Sequence, residues 1–97
     1  MTRLDFTSET LLKERAIIEV ERLIADRLDQ TEDEILIYIN DKLRYSVIIN
    51  NDETFLYDSS ENGKLILIDT FLNMAEDRIA NIISDYIIDD EMELNAI

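Results

Sequence analysis

One short stretch of this chain combines residue types and spacing that could hold an ion: DSSENGKLILID, residues 58–69. Asp58, Ser60 and Asn62 bring oxygen-bearing side chains to alternate positions, Gly63 permits a sharp turn, and Asp69 adds a second carboxylate. Oxygen donors suit calcium, magnesium or manganese. Other chemistries are poorly supplied. The chain has no cysteine and no histidine, which removes disulfides, thiol nucleophiles, cysteine-ligated zinc and the commonest general base. Adjacent acids such as Asp33–Glu34 and Asp89–Asp90 read as solvated neighbours rather than acid–base pairs. No serine has a candidate base, and a single glycine cannot build a phosphate-cradling loop. The residues therefore point away from an enzyme and from any obligatory cofactor.

The stretch resembles the calcium loop of the EF-hand family over twelve residues. Asp58, Ser60 and Asn62 match its alternating ligand slots, Gly63 its turn, the Lys64 carbonyl its backbone ligand, Leu65 its apolar slot and Asp69 its closing acid. That resemblance implies calcium as a ligand and a small calcium-responsive binding protein. The departures are an aspartate where the family closes with glutamate, Ile66 at a usually polar slot, and a strand-like segment where a helix must precede the loop. The same residues also read as a β-hairpin. Asn62-Gly63 accepts the positive φ angles of a two-residue turn and would pair TFLYDSSE with KLILID, setting Glu61 opposite Lys64.

Charge narrows the partners. The chain carries 23 acids against 9 bases, a net charge of −14. Residues 50–97 hold 12 of the acids, with only Lys64 and Arg78 to oppose them. Such a chain is repelled by nucleic acid and by anionic membranes, so an electrostatic partner must be basic. No apolar run reaches membrane-spanning length, and MTRLDFTSE lacks the apolar core of a signal peptide. The expected location is cytoplasmic.

The 97 residues are expected to form one domain spanning 1–97. A first helix is predicted over 8–29, capped by Thr7 and stapled by Phe6 and Leu11. Leu12, Ala16, Val20, Leu23, Ile24 and Leu28 form its apolar stripe. Leu11, Ile18 and Ala25 form a second line suited to a further contact. Alternating residues predict strands at 34–40, 43–49 and 54–58, with 65–68 as a fourth, joined by asparagine-rich turns. A last helix is predicted over 70–88, capped by Asp69 or Thr70. Its apolar face comprises Phe71, Leu72, Ala75, Ile79, Ile82, Ile83 and Tyr86, with Ser84 opposite. The acidic stretch 89–97 opposes the helix dipole and is expected to fray.

The expected architecture is α+β: an N-terminal helix, an antiparallel meander of three to four strands and a C-terminal helix, with both helices on one face of the sheet. Leu36, Tyr38 and Ile48 are candidates for a second face that is not polar, which would mark self-association or a protein interface. The segment SVIINNDETFLYDSSENGK and the order helix, meander, helix resemble small acidic phage-encoded inhibitors of the anti-CRISPR type. That class-level resemblance implies nucleic-acid mimicry, with carboxylates occupying a basic site that normally receives phosphates. The acids assigned to the basic partner are Asp58, Glu61, Asp69, Glu76, Asp77, Asp85, Asp89, Asp90, Glu91 and Glu93. The competing expectation from another class is a homodimeric structural or assembly protein, acidic only for solubility.

Overall fold

The computed structural model describes residues 1–61 and 64–95. Along the chain run β1 (Thr2–Phe6), α1 (Ser8–Leu11), α2 (Ala16–Leu28), β2 (Glu32–Ile39), β3 (Lys42–Asn50), β4 (Glu53–Glu61), β5 (Lys64–Leu72) and α3 (Glu76–Asn95). The strands form one sheet in chain order. Strands β2 to β5 make the expected antiparallel meander, four strands long. β1 corrects the expectation, because it adds a fifth strand parallel to β2 and makes the sheet mixed. A parallel pair needs a long crossover, and the segment holding α1 and α2 supplies it.

Local conformation explains the turns. Asn40 and Asp41 both have positive φ, 52° and 65°. They form the two-residue loop whose twist matches the flanking strands. Asn40 also ties this turn to the start of α1: its amide oxygen accepts from the Ser8 backbone N–H at 3.0 Å, and its Nδ2 donates to Ser8 Oγ at 2.6 Å. Asn51, with φ 55°, turns β3 into β4. Asn73, with φ 52°, ends β5 and donates its backbone N–H to the Asp52 carbonyl at 3.0 Å.

The first predicted helix is broken. Thr7 and Thr10 form a reciprocal capping box, each side chain accepting from the other's backbone N–H at 3.2 Å. α1 then stops after one turn, and α2 restarts at Ala16 behind Arg15, whose φ is 71°. The break re-aims the stripe: Leu11 is buried, while Leu12, expected in the core, is 48% exposed. α2 keeps the predicted face, burying Ala16, Val20, Ile24 and Leu28.

The last helix begins six residues later than predicted. Asp69, Thr70, Phe71 and Leu72 belong to β5, so neither Asp69 nor Thr70 caps a helix. The buried side of α3 is Ile79, Ala80, Ile83, Ser84 and Ile87, followed by Glu91 at 3% exposure. Ser84, predicted to face solvent, is buried and donates its hydroxyl to the Asn81 carbonyl at 2.8 Å. The acidic stretch from Asp89 continues as α3 to Asn95.

Val20, Ile24 and Leu28 of α2 and Ile79, Ala80, Ile83 and Ile87 of α3 join Leu4, Phe6, Ile35, Ile37, Val47 and Leu56 in one hydrophobic cluster. Fully burying each such side chain contributes about 1.5–3 kcal/mol. No helix among the described residues is long and apolar enough to cross a membrane.

Candidate interaction surfaces

A bulge in β3 builds the polar side of α3. Ile37 faces Tyr45 and Tyr38 faces Leu43, so Arg44 is the extra residue between two ladder pairs. Strict alternation would send Arg44 to the same side as Ser46 and Ile48. The bulge instead brings Arg44 and Tyr45 together toward α3. The Arg44 guanidinium pairs with the Asp90 carboxylate, both side chains being mostly shielded from solvent. The Tyr45 hydroxyl lies 3.2 Å from Asp90 Oδ2 and 3.3 Å from the Tyr86 carbonyl oxygen. Burial, reinforced by the Asp90 charge, pushes the Tyr45 phenol far above its usual range. The Tyr86 hydroxyl donates to Asp69 Oδ2 at 3.3 Å, and burial together with that carboxylate also raises its pKa. Tyr45, Ile82, Asp85, Tyr86, Asp89 and Asp90 line an open groove of about 420 Å³.

The acids expected to form one partner site are dispersed by this arrangement. Asp85 and Asp89 stand exposed on consecutive turns of α3, and Glu76 and Asp77 are exposed in its first turn. Asp90 is engaged by Arg44, and Glu91 is buried. Asp58 is half-buried in β4 and accepts from the Ser60 N–H at 2.8 Å and the Ser60 hydroxyl at 2.5 Å. Asp69 is half-buried in β5 and accepts from the Thr70 N–H at 2.9 Å as well as from Tyr86. The side chains of Glu61 and Glu93, and all of Asn62 and Gly63, lie outside the described residues.

Within 58–69, Asp58 to Glu61 lie on β4 and Lys64 to Asp69 on β5, and the two strands pair antiparallel. Asp58 opposes Ile66, Asp69 opposes Leu56, and Glu61 opposes Lys64. That is the hairpin alternative. β4, not a helix, precedes the loop, so Asp58, Ser60, Lys64 and Asp69 are held in an extended ladder rather than around a point. Among the described residues, no group of three acids is placed to hold a metal ion.

The second face of the sheet is the larger feature. Sheet register runs Leu36, Ser46, Tyr57, Leu67 across β2 to β5, and beside it Glu34, Ile48, Phe55, Thr70. These positions alternate with the buried set. Leu36, Tyr38, Leu43, Ile48, Phe55 and Tyr57 are only partly covered. On β5, Leu65, Leu67 and Leu72 are 53%, 50% and 56% exposed. Ser46 and Ser59, whose hydroxyls lie 3.1 Å apart, are buried between larger neighbours. The charges sit at the margins. Arg3 on β1 is bonded to Asp5 at 2.9 Å and lies 3.7 Å above the Tyr38 ring, while Glu32, Glu34 and Glu53 cluster at one end of the strands.

Of these residues, Leu36, Tyr38 and Ile48 were legible as a non-polar second face, whereas Phe55, Tyr57, Leu67 and Arg44 were missed. Alternation in TFLYD carried the signal for Phe55 and Tyr57. Leu67 lay in an unbroken apolar run that resembles a strand buried on both sides. A bulge such as the one at Arg44 leaves no mark on a single sequence. No family model, curated protein or solved structure matches this chain, and the functional reading rests on its own geometry.

Proposed function

We propose that this protein is a non-enzymatic interaction module whose binding surface is the second sheet face, with both helices covering the other side. One observation carries the reading. In a chain of 23 acids, the middle of this face sets Leu36, Ile48, Phe55, Tyr57 and Leu67 around Ser46, with no carboxylate, lysine or arginine among them. Exposed apolar area of this kind, with polar groups at its margin, is typical of protein–protein contacts. Aromatic residues at the centre are the common anchors of such contacts.

A second reading is favoured by the exposed acids of α3. Asp85 and Asp89, exposed on consecutive turns, form a short acidic stripe suited to a basic, nucleic-acid-handling partner in the manner of an inhibitor that mimics phosphate charge. Complementary charge of this kind speeds encounter and is weakened by salt.

The two readings separate in one comparison. Wild-type protein, Leu67→Lys and the double variant Asp85→Lys/Asp89→Lys are immobilised, and the proteins each retains, including free copies of the chain itself, are identified. The sheet-face reading predicts that Leu67→Lys loses what the wild type retains and that the α3 variant keeps it. The reverse pattern would support the acidic stripe and overturn the sheet face.

A further inference from the structure

We infer that the occupant of the second sheet face is a second copy of this chain, packed face to face. The inference rests on the reading of that face as the binding surface, and two observations point to the second copy.

The first is size. Strands about 4.8 Å apart and rising about 3.3 Å per residue give a face on the order of 600 Å² for a sheet of these dimensions. Two such faces would bury roughly 1,200 Å² in total, the lower end of a specific interface. A self-packed pair of sheets is also a standard way to bury two apolar faces.

The second is the placement of charge. The molecule measures 39 × 31 × 19 Å, and its short dimension fits one sheet layer and one helix layer. Packed sheets lie about 10 Å apart. The acid-bearing helices of the two copies would then be separated by roughly 30 Å, several times the Debye length of about 8 Å at physiological salt. Two chains of charge −14 can meet on this face while their helical acids stay far apart.

The test is the solution mass of the intact chain from micromolar to hundreds of micromolar concentration, by sedimentation equilibrium or light scattering, at low and high salt. The expected result is a reversible rise toward twice 11.4 kDa, strengthened by salt, because screening reduces repulsion and apolar burial is not weakened. Leu67→Lys should raise the dimer dissociation constant at least about tenfold. It lowers the net negative charge, so added repulsion cannot explain the loss. Leu67 is half exposed, so the variant is expected to fold. Leu65→Lys is the second variant, and Ile18→Lys on α2, at a position 61% exposed, is the control that should leave the dimer intact. A wild type that stays monomeric throughout overturns the second copy. The immobilisation comparison then decides separately whether the face binds another protein. A dimer that survives both β5 substitutions overturns the face as the interface.

Discussion

Leu56 and Leu67 lie on neighbouring strands but on opposite faces of the sheet, and they should respond differently to the same truncation. Leu56 is fully buried in the hydrophobic cluster, and Leu67 is 50% exposed on the second face. Leu56→Ala loses the transfer free energy of the side chain and leaves a cavity, a cost of about 3–5 kcal/mol. Leu67→Ala gives up only part of a burial worth about 1.5–3 kcal/mol when complete and leaves no enclosed void, so its cost in the isolated chain is about 1 kcal/mol or less. For a domain of this length each kcal/mol moves the melting temperature by about 4–8 °C. Leu56→Ala should therefore lower the Tm by at least about 12 °C or prevent stable folding, and Leu67→Ala by less than about 8 °C. Circular dichroism melts at micromolar protein, with urea titrations alongside, measure both. Self-association adds a concentration dependence, because a partner that binds only the folded chain stabilises it by mass action. The deficit of Leu67→Ala should grow as protein concentration rises, while that of Leu56→Ala, expressed relative to wild type at the same concentration, should change less. Equal costs for the two leucines at low concentration would refute the assignment of covered and uncovered faces.

Other consequences follow from the polar network and the turns. Asp90→Asn leaves the Arg44 guanidinium without its counter-charge in a mostly shielded site and should cost about 1–3 kcal/mol by urea titration. The double replacement Arg44→Met/Asp90→Leu should lie closer to wild type than Asp90→Asn does. At Asn40, the Gly variant keeps the left-handed backbone but loses the bonds to Ser8, about 1 kcal/mol, and the Ala variant adds about 1 kcal/mol of backbone strain. The expected Tm order is therefore Asn, Gly, Ala. Asp33 is pushed up by partial burial, but bonds from the amino terminus, the Glu34 amide and the Thr2 hydroxyl outweigh this and hold it below the usual carboxylate range. A carboxyl with a lowered folded pKa stabilises above its unfolded value near pH 3.9 and loses that contribution as pH falls through the folded value. Asp33→Asn should thus be less stable than wild type at neutral pH, with the gap closing in strong acid; a gap independent of pH would contradict the assignment.

What the sequence revealed and what it hid follow from the range of the interactions. The Asn40-Asp41 and Asn51-Asp52 turns are written locally, since asparagine tolerates positive φ and alternating residues flank it. The stripe of α2 was legible for the same reason. β1 was not, because TRLDF offers only Leu4 and Phe6 as inward positions, and its partner β2 begins across an intervening helical segment. The break at Arg15 was hidden because no glycine or proline marks it and the apolar spacing runs on through Leu12. Phe71 and Leu72 fit a helical stripe with Ala75 and Ile79 as well as they fit a strand, and pairing with β4 decided between the two. The acids of the second half were visible as charge but not as a site. The Arg44 bulge and the rotation of α3, which bury Glu91 and engage Asp90, are set by tertiary packing alone.

Because the chain has no cysteine of its own, single cysteines report on each face without interference. The most direct measurement is the rate of maleimide labelling of Leu67→Cys and of Ile18→Cys as protein concentration is raised. Occupation of the second sheet face predicts that Leu67→Cys becomes progressively protected while Ile18→Cys labels at a constant rate. Constant labelling of Leu67→Cys at every concentration, or protection of Ile18→Cys instead, would contradict a second copy seated on that face.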